Sequence, residues 1–179
     1  MSAPADADRP LDEDEEAFLR AFARALVAVP RLMEEDLLRE EQMSTSEYFA
    51  LVHLSEAPSR RLRMSDLAAA AALSLSGLTR VVQRLEATGL VRRERSPDDG
   101  RGWYAVLEPA GLERLERAWP AHLRSTRRRV VDHLAGVDLG PVTAALREMA
   151  RGDRVRCDEG RDDEGRVGAD GAPDGPCAR

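Results

Sequence analysis

Ser74, Ser76, Gly77, Thr79, Arg80, Gln83 and Arg84 crowd into one short stretch, SLSGLTRVVQR. These side chains suit the edges of nucleic-acid bases. An arginine fork can hold guanine O6 and N7, glutamine can do the same for adenine, and threonine can touch a thymine methyl. Ser74, with the backbone N–H groups at a helix start, can hold a phosphate. Leu75, Leu78, Val82 and Leu85 recur at helical spacing, which predicts a buried face and leaves the polar residues outward. An ordinary amphipathic helix with a solvated polar face has the same periodicity. The flanking elements decide between the two.

A second cationic cluster follows, RRERSPDDGRG, from Arg92 to Gly102. Proline and glycine shape a loop there. Arg101 at its tip is placed to enter a minor groove, where the potential is negative. Asp99, two residues back, can steady that guanidinium through a charge-assisted bond. A surface hairpin with a solvated ion pair remains the plainer alternative for Asp99 and Arg101 taken alone.

The elements that must position these residues are marked by local signals. A helix is expected over residues 11–39, with Phe18, Phe22, Leu26, Val29, Met33 and Leu37 as its apolar stripe and a kink or break at Pro30. Ser44 and Glu47 have the spacing of a capping box, so a second helix starts at Thr45 and stops before Pro58. A third runs over 65–72 and a fourth over 74–88, with Ser74 as N-cap and Gly89 as the left-handed C-terminal residue. Strands are expected over 91–95 and 103–107. A fifth helix runs from Pro109 to about Leu134, spanning roughly 39 Å. Asp138 caps a last helix bearing Leu139, Val142, Leu146 and Met149. The fold is therefore mainly α with a small β-wing, in the order of a winged helix-turn-helix with long helices at both ends.

The chain resembles the MarR family of bacterial transcriptional regulators. The residues that carry the resemblance are Ser65-Asp66-Leu67-Ala68, Leu73-Ser74-Leu75-Ser76-Gly77-Leu78-Thr79-Arg80, Leu85-Glu86-Ala87-Thr88-Gly89-Leu90-Val91, Asp98-Asp99-Gly100-Arg101 and Leu107-Glu108-Pro109-Ala110-Gly111. Gly100 stands where the family commonly has arginine, while Asp99 and Arg101 keep the flanking positions. The resemblance covers about residues 12–150. It implies a homodimer on a pseudo-palindromic operator in double-stranded DNA, commonly a repressor relieved by a small aromatic or phenolic ligand. DNA contacts would come from Ser74, Ser76, Gly77, Thr79, Arg80, Gln83, Arg84, Arg92, Asp99 and Arg101. Tyr48, His53, Trp119 and His122 are the polar-tipped residues expected near a ligand crevice, although each alone is more often a packing residue.

Domain organisation follows the same pattern. Residues 1–11 are expected to be disordered, 12–43 and 109–151 to form dimerisation helices, 44–108 to form the DNA-binding lobe, and 152–179 to be a disordered tail. The formal net charge is −6, yet residues 60–102 hold nine arginines against five acids, a local net of +4. Residues 1–20 carry −5. The distribution of charge matters more than its total. Every basic residue is arginine. The triplet Arg127-Arg128-Arg129 can be a second phosphate contact, a solvated face, or a partner for Glu34, Glu35 and Asp36 across a dimer.

Other functions find little footing. Three scattered histidines, no glycine-rich phosphate loop and no Ser/His/Asp or metal-ligand spacing give an enzyme no site, and no cofactor or metal is expected. Cys157 and Cys177 suit neither a disulfide framework nor zinc, and no cysteine precedes them for thiol sensing. No apolar run of about 18 residues predicts a membrane span, and the acidic start is not a signal peptide. A cytoplasmic protein is expected. A winged helix turned protein-interaction module would have lost its basic groove residues, whereas Arg80, Arg84, Arg92 and Arg101 remain. An activator without a small-molecule ligand stays open.

Overall fold

Helix α1 (Glu13–Glu41) starts at a reciprocal cap. The Asp12 carboxylate accepts from the Glu15 N–H at 2.9 Å, and the Glu15 carboxylate accepts from the Asp12 N–H at 2.9 Å. The computed structural model that shows this describes residues 9–95 and 102–151. Expectations for residues 98–101, for Cys157 and for Cys177 lie outside the described residues.

A kink or break is expected at Pro30; there is no break, and α1 runs helical through it. Pro30 is exposed, so the Leu26 carbonyl that loses its partner faces water, where the loss costs least. Only Leu37 of the predicted stripe is buried, while Phe18 and Leu26 are each 60% exposed.

Helix α2 (Thr45–Glu56) has the predicted box: Ser44 Oγ accepts from the Glu47 N–H at 3.2 Å and Glu47 Oε2 from the Ser44 N–H at 3.0 Å. Glu34 of α1 accepts from the Thr45 N–H at 2.6 Å and from its hydroxyl, so α1 fixes where α2 begins. A strand not expected from sequence, β1 (Arg61–Arg63), precedes α3 (Met64–Ala70). Helix α4 (Leu75–Ala87), β2 (Val91–Arg95) and β3 (Trp103–Leu107) follow within a residue of expectation. The sheet is antiparallel in the order β1-β3-β2. Arg93 faces Ala105 and Arg95 faces Trp103 across the hairpin.

Helix α5 (Pro109–Arg129) is shorter than expected. Val130, at φ −131° and ψ −66°, ends it, and Val131–Leu134 form a 3-10 turn. Its 21 residues reach about 32 Å. Its buried stripe is Gly111, Leu115, Ala118, Ala121 and Ser125, and Trp119 is 53% exposed. Gly111 is required for close approach. A Cβ there would strike the Leu90 carbonyl oxygen and lie 2.7 Å from Leu107 Cδ1.

The core joins α2, α3, α4, the sheet and α5 through Leu51, Leu54, Leu67, Leu78, Val82, Ala105 and Leu115. Residues from Gly136 on form a unit of their own. There α6 (Leu139–Arg151) follows Asp138, whose Oδ1 accepts from the Gly140 N–H at 3.0 Å. Among the described residues no helix is long and apolar enough to cross a membrane.

Candidate nucleic-acid interface

Helices α3 and α4 meet through a turn in which Ala72 is left-handed, at φ 52°. The Leu73 N–H closes it onto the Ala68 carbonyl at 2.9 Å. Ser74 then caps α4, its Oγ accepting from the Gly77 N–H at 3.1 Å. Gly89, at φ 70°, releases the far end, and the Leu90 N–H returns to the Leu85 carbonyl at 2.9 Å. This is the six-to-one bond of a left-handed helix stop.

Leu78, Val81, Val82 and Leu85 form the buried side of α4. Ser76, Arg80, Gln83 and Ala87 lie opposite and are exposed. Ser74, Ser76, Gly77, Thr79, Arg80 and Gln83 thus share one surface around the helix start and outer face. Thr79 spends its hydroxyl on the Leu75 carbonyl at 2.8 Å, which leaves its methyl to face a ligand.

Leu75 departs from expectation: it is 55% exposed, and Val81 takes its place in the core. As the first residue after the cap, Leu75 falls on the sheet side of the buried face, where the start of α4 has nothing to pack against.

Arg84 sits on the flank toward α2. Its Nε donates to Glu47 Oε1 at 2.7 Å. Burial alone would raise the Glu47 carboxyl; the Arg84 bond and Ser44 outweigh it and hold the carboxyl below its ordinary value. Arg92 lies on the sheet face that carries Val106, with Glu94 and Glu108 as ion-pair partners. The pleat turns that face away from the one bearing Val91, Ala105 and Leu107. Arg92 therefore does not converge with the α4 surface. Asp99 and Arg101 lie outside the described residues.

Aromatic rings on β3 are residues that sequence reasoning missed. Arg61 and Arg63 place their guanidinium carbons 4.3 and 5.2 Å from the Tyr104 ring centre. Arg93 and Arg95 stand 5.9 and 5.3 Å from that of Trp103. The alternation of Trp103 and Tyr104 against flanking arginines was the available signal. Arg93 is anchored to α4: Glu86 accepts from its Nε at 2.8 Å and pairs with its Nη2 at 2.7 Å.

Three of the four expected ligand-crevice residues come together. The Tyr48 and His122 rings stack at 4.3 Å, and Trp119 lies 6.2 Å from His122. Burial pushes the Tyr48 hydroxyl up to about 12 and lowers His122. The buried Tyr48 hydroxyl has no hydrogen-bond partner among the described residues. His53 is half-buried and joins none of these rings. A cavity of about 310 Å³ lies beside Trp119, between Val52 and Ser55 of α2 and Leu115 of α5.

The arginine triplet finds its acid within the chain. Asp36, 1% exposed, accepts from Arg129 at 3.0 and 3.1 Å and from Ser125 at 2.8 Å. Arg39 and Arg128 stand 2.6 and 2.7 Å away. Arg129 first, against the opposing cost of burial, holds this carboxyl far below the carboxylate range.

A sequence model of the MarR family matches residues 41–102. The chain is similar to Sco3205, a MarR family transcriptional regulator from Streptomyces coelicolor solved in complex with DNA. The two are 36% identical with a TM-score of 0.74, over 80% of this chain and 91% of that one. AbsC, a MarR family transcriptional regulator from the same organism, is 37% identical with a TM-score of 0.74, over 82% and 98%. YkoM, an HTH-type transcriptional regulator of Bacillus subtilis (strain 168), is 30% identical over 103 residues. That alignment takes in 58% of this chain and 65% of the relative, a little under two thirds of it.

Proposed function

This chain belongs to the MarR family of transcriptional regulators, and on that footing we propose that it binds double-stranded DNA sequence-specifically as a homodimer. The observation that carries the reading is the outer face of α4. Ser76, Arg80 and Gln83 stand together on a capped helix whose opposite side is locked into the core. Arg80 and Gln83 can each make two-bond contacts to a base edge. The DNA complex of Sco3205 supports the same role.

Dimerisation is supported by apolar surface that one chain leaves open. Phe18 and Leu26 are each 60% exposed on α1, and Trp119 and Leu123 are 53% and 42% exposed on α5. A second copy is the simplest cover for such a surface. The regulator acts as a repressor, and a small aromatic or phenolic ligand beside Tyr48, Trp119 and His122 relieves it. The unpartnered Tyr48 hydroxyl and the neighbouring cavity favour a ligand that accepts a hydrogen bond there.

Selection of bound fragments from a random DNA pool, followed by footprinting, tests the reading. The expected product is an inverted repeat with half-sites about 10 base pairs apart, protected on one side of the duplex. Equal affinity for the selected site and for random DNA, or a footprint that lacks two-fold symmetry, overturns it. Sedimentation checks the dimer: a folded monomer at micromolar concentration overturns that part.

A further inference from the structure

The face of the sheet that builds the core does not stop at the core. Val91, Ala105 and Leu107 are buried on it, and the same face continues outward through Arg93, Trp103 and Arg95. There it stands over the starts of α3 and α4 across a cavity of about 330 Å³. Leu75 and Trp103 are its apolar walls, 55% and 43% exposed. Met64, Ser65, Thr79, Arg93 and Gly102 complete its lining together with Arg63, whose guanidinium turns to Tyr104 on the opposite face of the sheet. The arrangement combines bare apolar surface with cationic and hydroxyl groups, and one wall is the helix proposed to read bases.

We propose that this cavity is a seat for the sugar–phosphate backbone of one DNA strand, with deoxyribose between Leu75 and Trp103 and the adjoining phosphate against Ser65 and Arg93. This rests on the DNA-binding reading above. In a duplex, one backbone strand separates each major groove from the neighbouring minor groove. A helix in the first and a hairpin in the second therefore straddle a strand, and the cavity lies between α4 and the hairpin strands.

The chemistry fits a sugar–phosphate better than a base. Deoxyribose offers C–H faces to a leucine and an indole, and the phosphate offers oxygens to guanidinium and hydroxyl groups. Glu86 occupies Nε and Nη2 of Arg93 and fixes its plane, so Nη1 is the nitrogen turned to an anion. Arg93 and Arg95 lie over the indole and hold it upright. The seat is thus formed before DNA arrives, which lowers the entropy cost of closing on it.

The test uses full-length protein with Leu75→Ala, Trp103→Ala and Arg93→Ala, each checked by thermal melting. The probes are 30-base-pair duplexes: one selected for tight binding, one of random sequence, and the selected one with uracil replacing thymine. Leu75→Ala leaves the sheet untouched, so it reads the seat even where Trp103→Ala loosens the fold. Leu75→Ala and Trp103→Ala are expected to weaken selected and random duplexes alike, by about tenfold, with unchanged salt slopes. Arg93→Ala is expected to flatten the slope by about one phosphate contact per protomer. Uracil substitution should leave the wild-type to Leu75→Ala ratio unchanged. The seat is overturned if Leu75→Ala binds both duplexes within about twofold of wild type. It is equally overturned if the Leu75→Ala loss is confined to the selected duplex and copied by uracil, because Leu75 then reads a thymine methyl. Wild type that binds no duplex in a salt-dependent way overturns the seat and the DNA-binding reading together, and is told apart by that control.

Discussion

Arg84 and Glu47 are joined across the α2–α4 contact by a 2.7 Å hydrogen bond from Nε to Oε1. The other Glu47 oxygen closes the cap of α2 at 3.0 Å. One carboxylate therefore sets both where α2 begins and how the Arg84 side chain leaves α4. It also moves Arg84 off the centre of the outward face, where Arg80 and Gln83 stand.

The two arginines should then differ. Arg80→Ala is expected to cost about 1–3 kcal/mol on a selected site and to relax preference at one base pair. Arg84→Ala is expected to weaken selected and random DNA about equally, since a guanidinium held at the flank meets phosphate. Titration of both variants against both duplexes checks this; equal loss of base preference in the two variants refutes it.

Asp36 predicts an acid limb to stability. Its folded carboxyl is held far below the ordinary value of 3.8, with Arg129 the largest cause. The unfolded chain takes up that proton first. The contribution is therefore complete well above pH 4 and is lost as pH falls through the ordinary carboxylate range and below. Asp36→Asn should cost about 1–3 kcal/mol at neutral pH, a figure discounted because Arg39 and Arg128 are half exposed. The gap between wild type and variant should shrink as pH is lowered. Denaturant unfolding from pH 7 to pH 3 reads both.

Gly111→Ala should destabilise by about 1–3 kcal/mol, because the new methyl meets the Leu90 carbonyl and the Leu107 side chain. A thermal melt measures it. An unchanged midpoint would mean that α5 can lift off β2 at no cost.

Tyr48→Phe should stabilise the ligand-free protein by about 1 kcal/mol or leave it unchanged, since it removes a buried hydroxyl without a partner. The same change should weaken a phenolic ligand seated beside His122. Melting with and without the ligand separates the two effects.

The parts legible in the sequence are those decided within a few residues. The Ser44 and Ser74 caps, the Gly89 stop and both hairpin strands need only local backbone chemistry, and they fall as expected. The misses depend on partners distant in sequence. Strand β1 is three residues long and exists through its pairing with β3. Leu75 and Val81 have the same apolar character, and only the placement of the sheet decides which is buried. Arg84 looked outward until α2 brought Glu47 alongside it. Pro30 does not break α1, and it stands on an exposed side of the helix.

Every ion pair described here has arginine on its cationic side, from Asp36 with Arg129 to Glu86 with Arg93 and Glu41 with Arg114. A guanidinium keeps its charge throughout the accessible pH range, so only the carboxylate half of these pairs can titrate. The absence of lysine also leaves no side-chain amine to acetylate, ubiquitinate or couple to an amine-reactive crosslinker. Neither the charges proposed to face DNA nor the struts between helices can be silenced by lysine chemistry. Crosslinking the proposed dimer therefore calls for thiol-, carboxylate- or arginine-directed reagents.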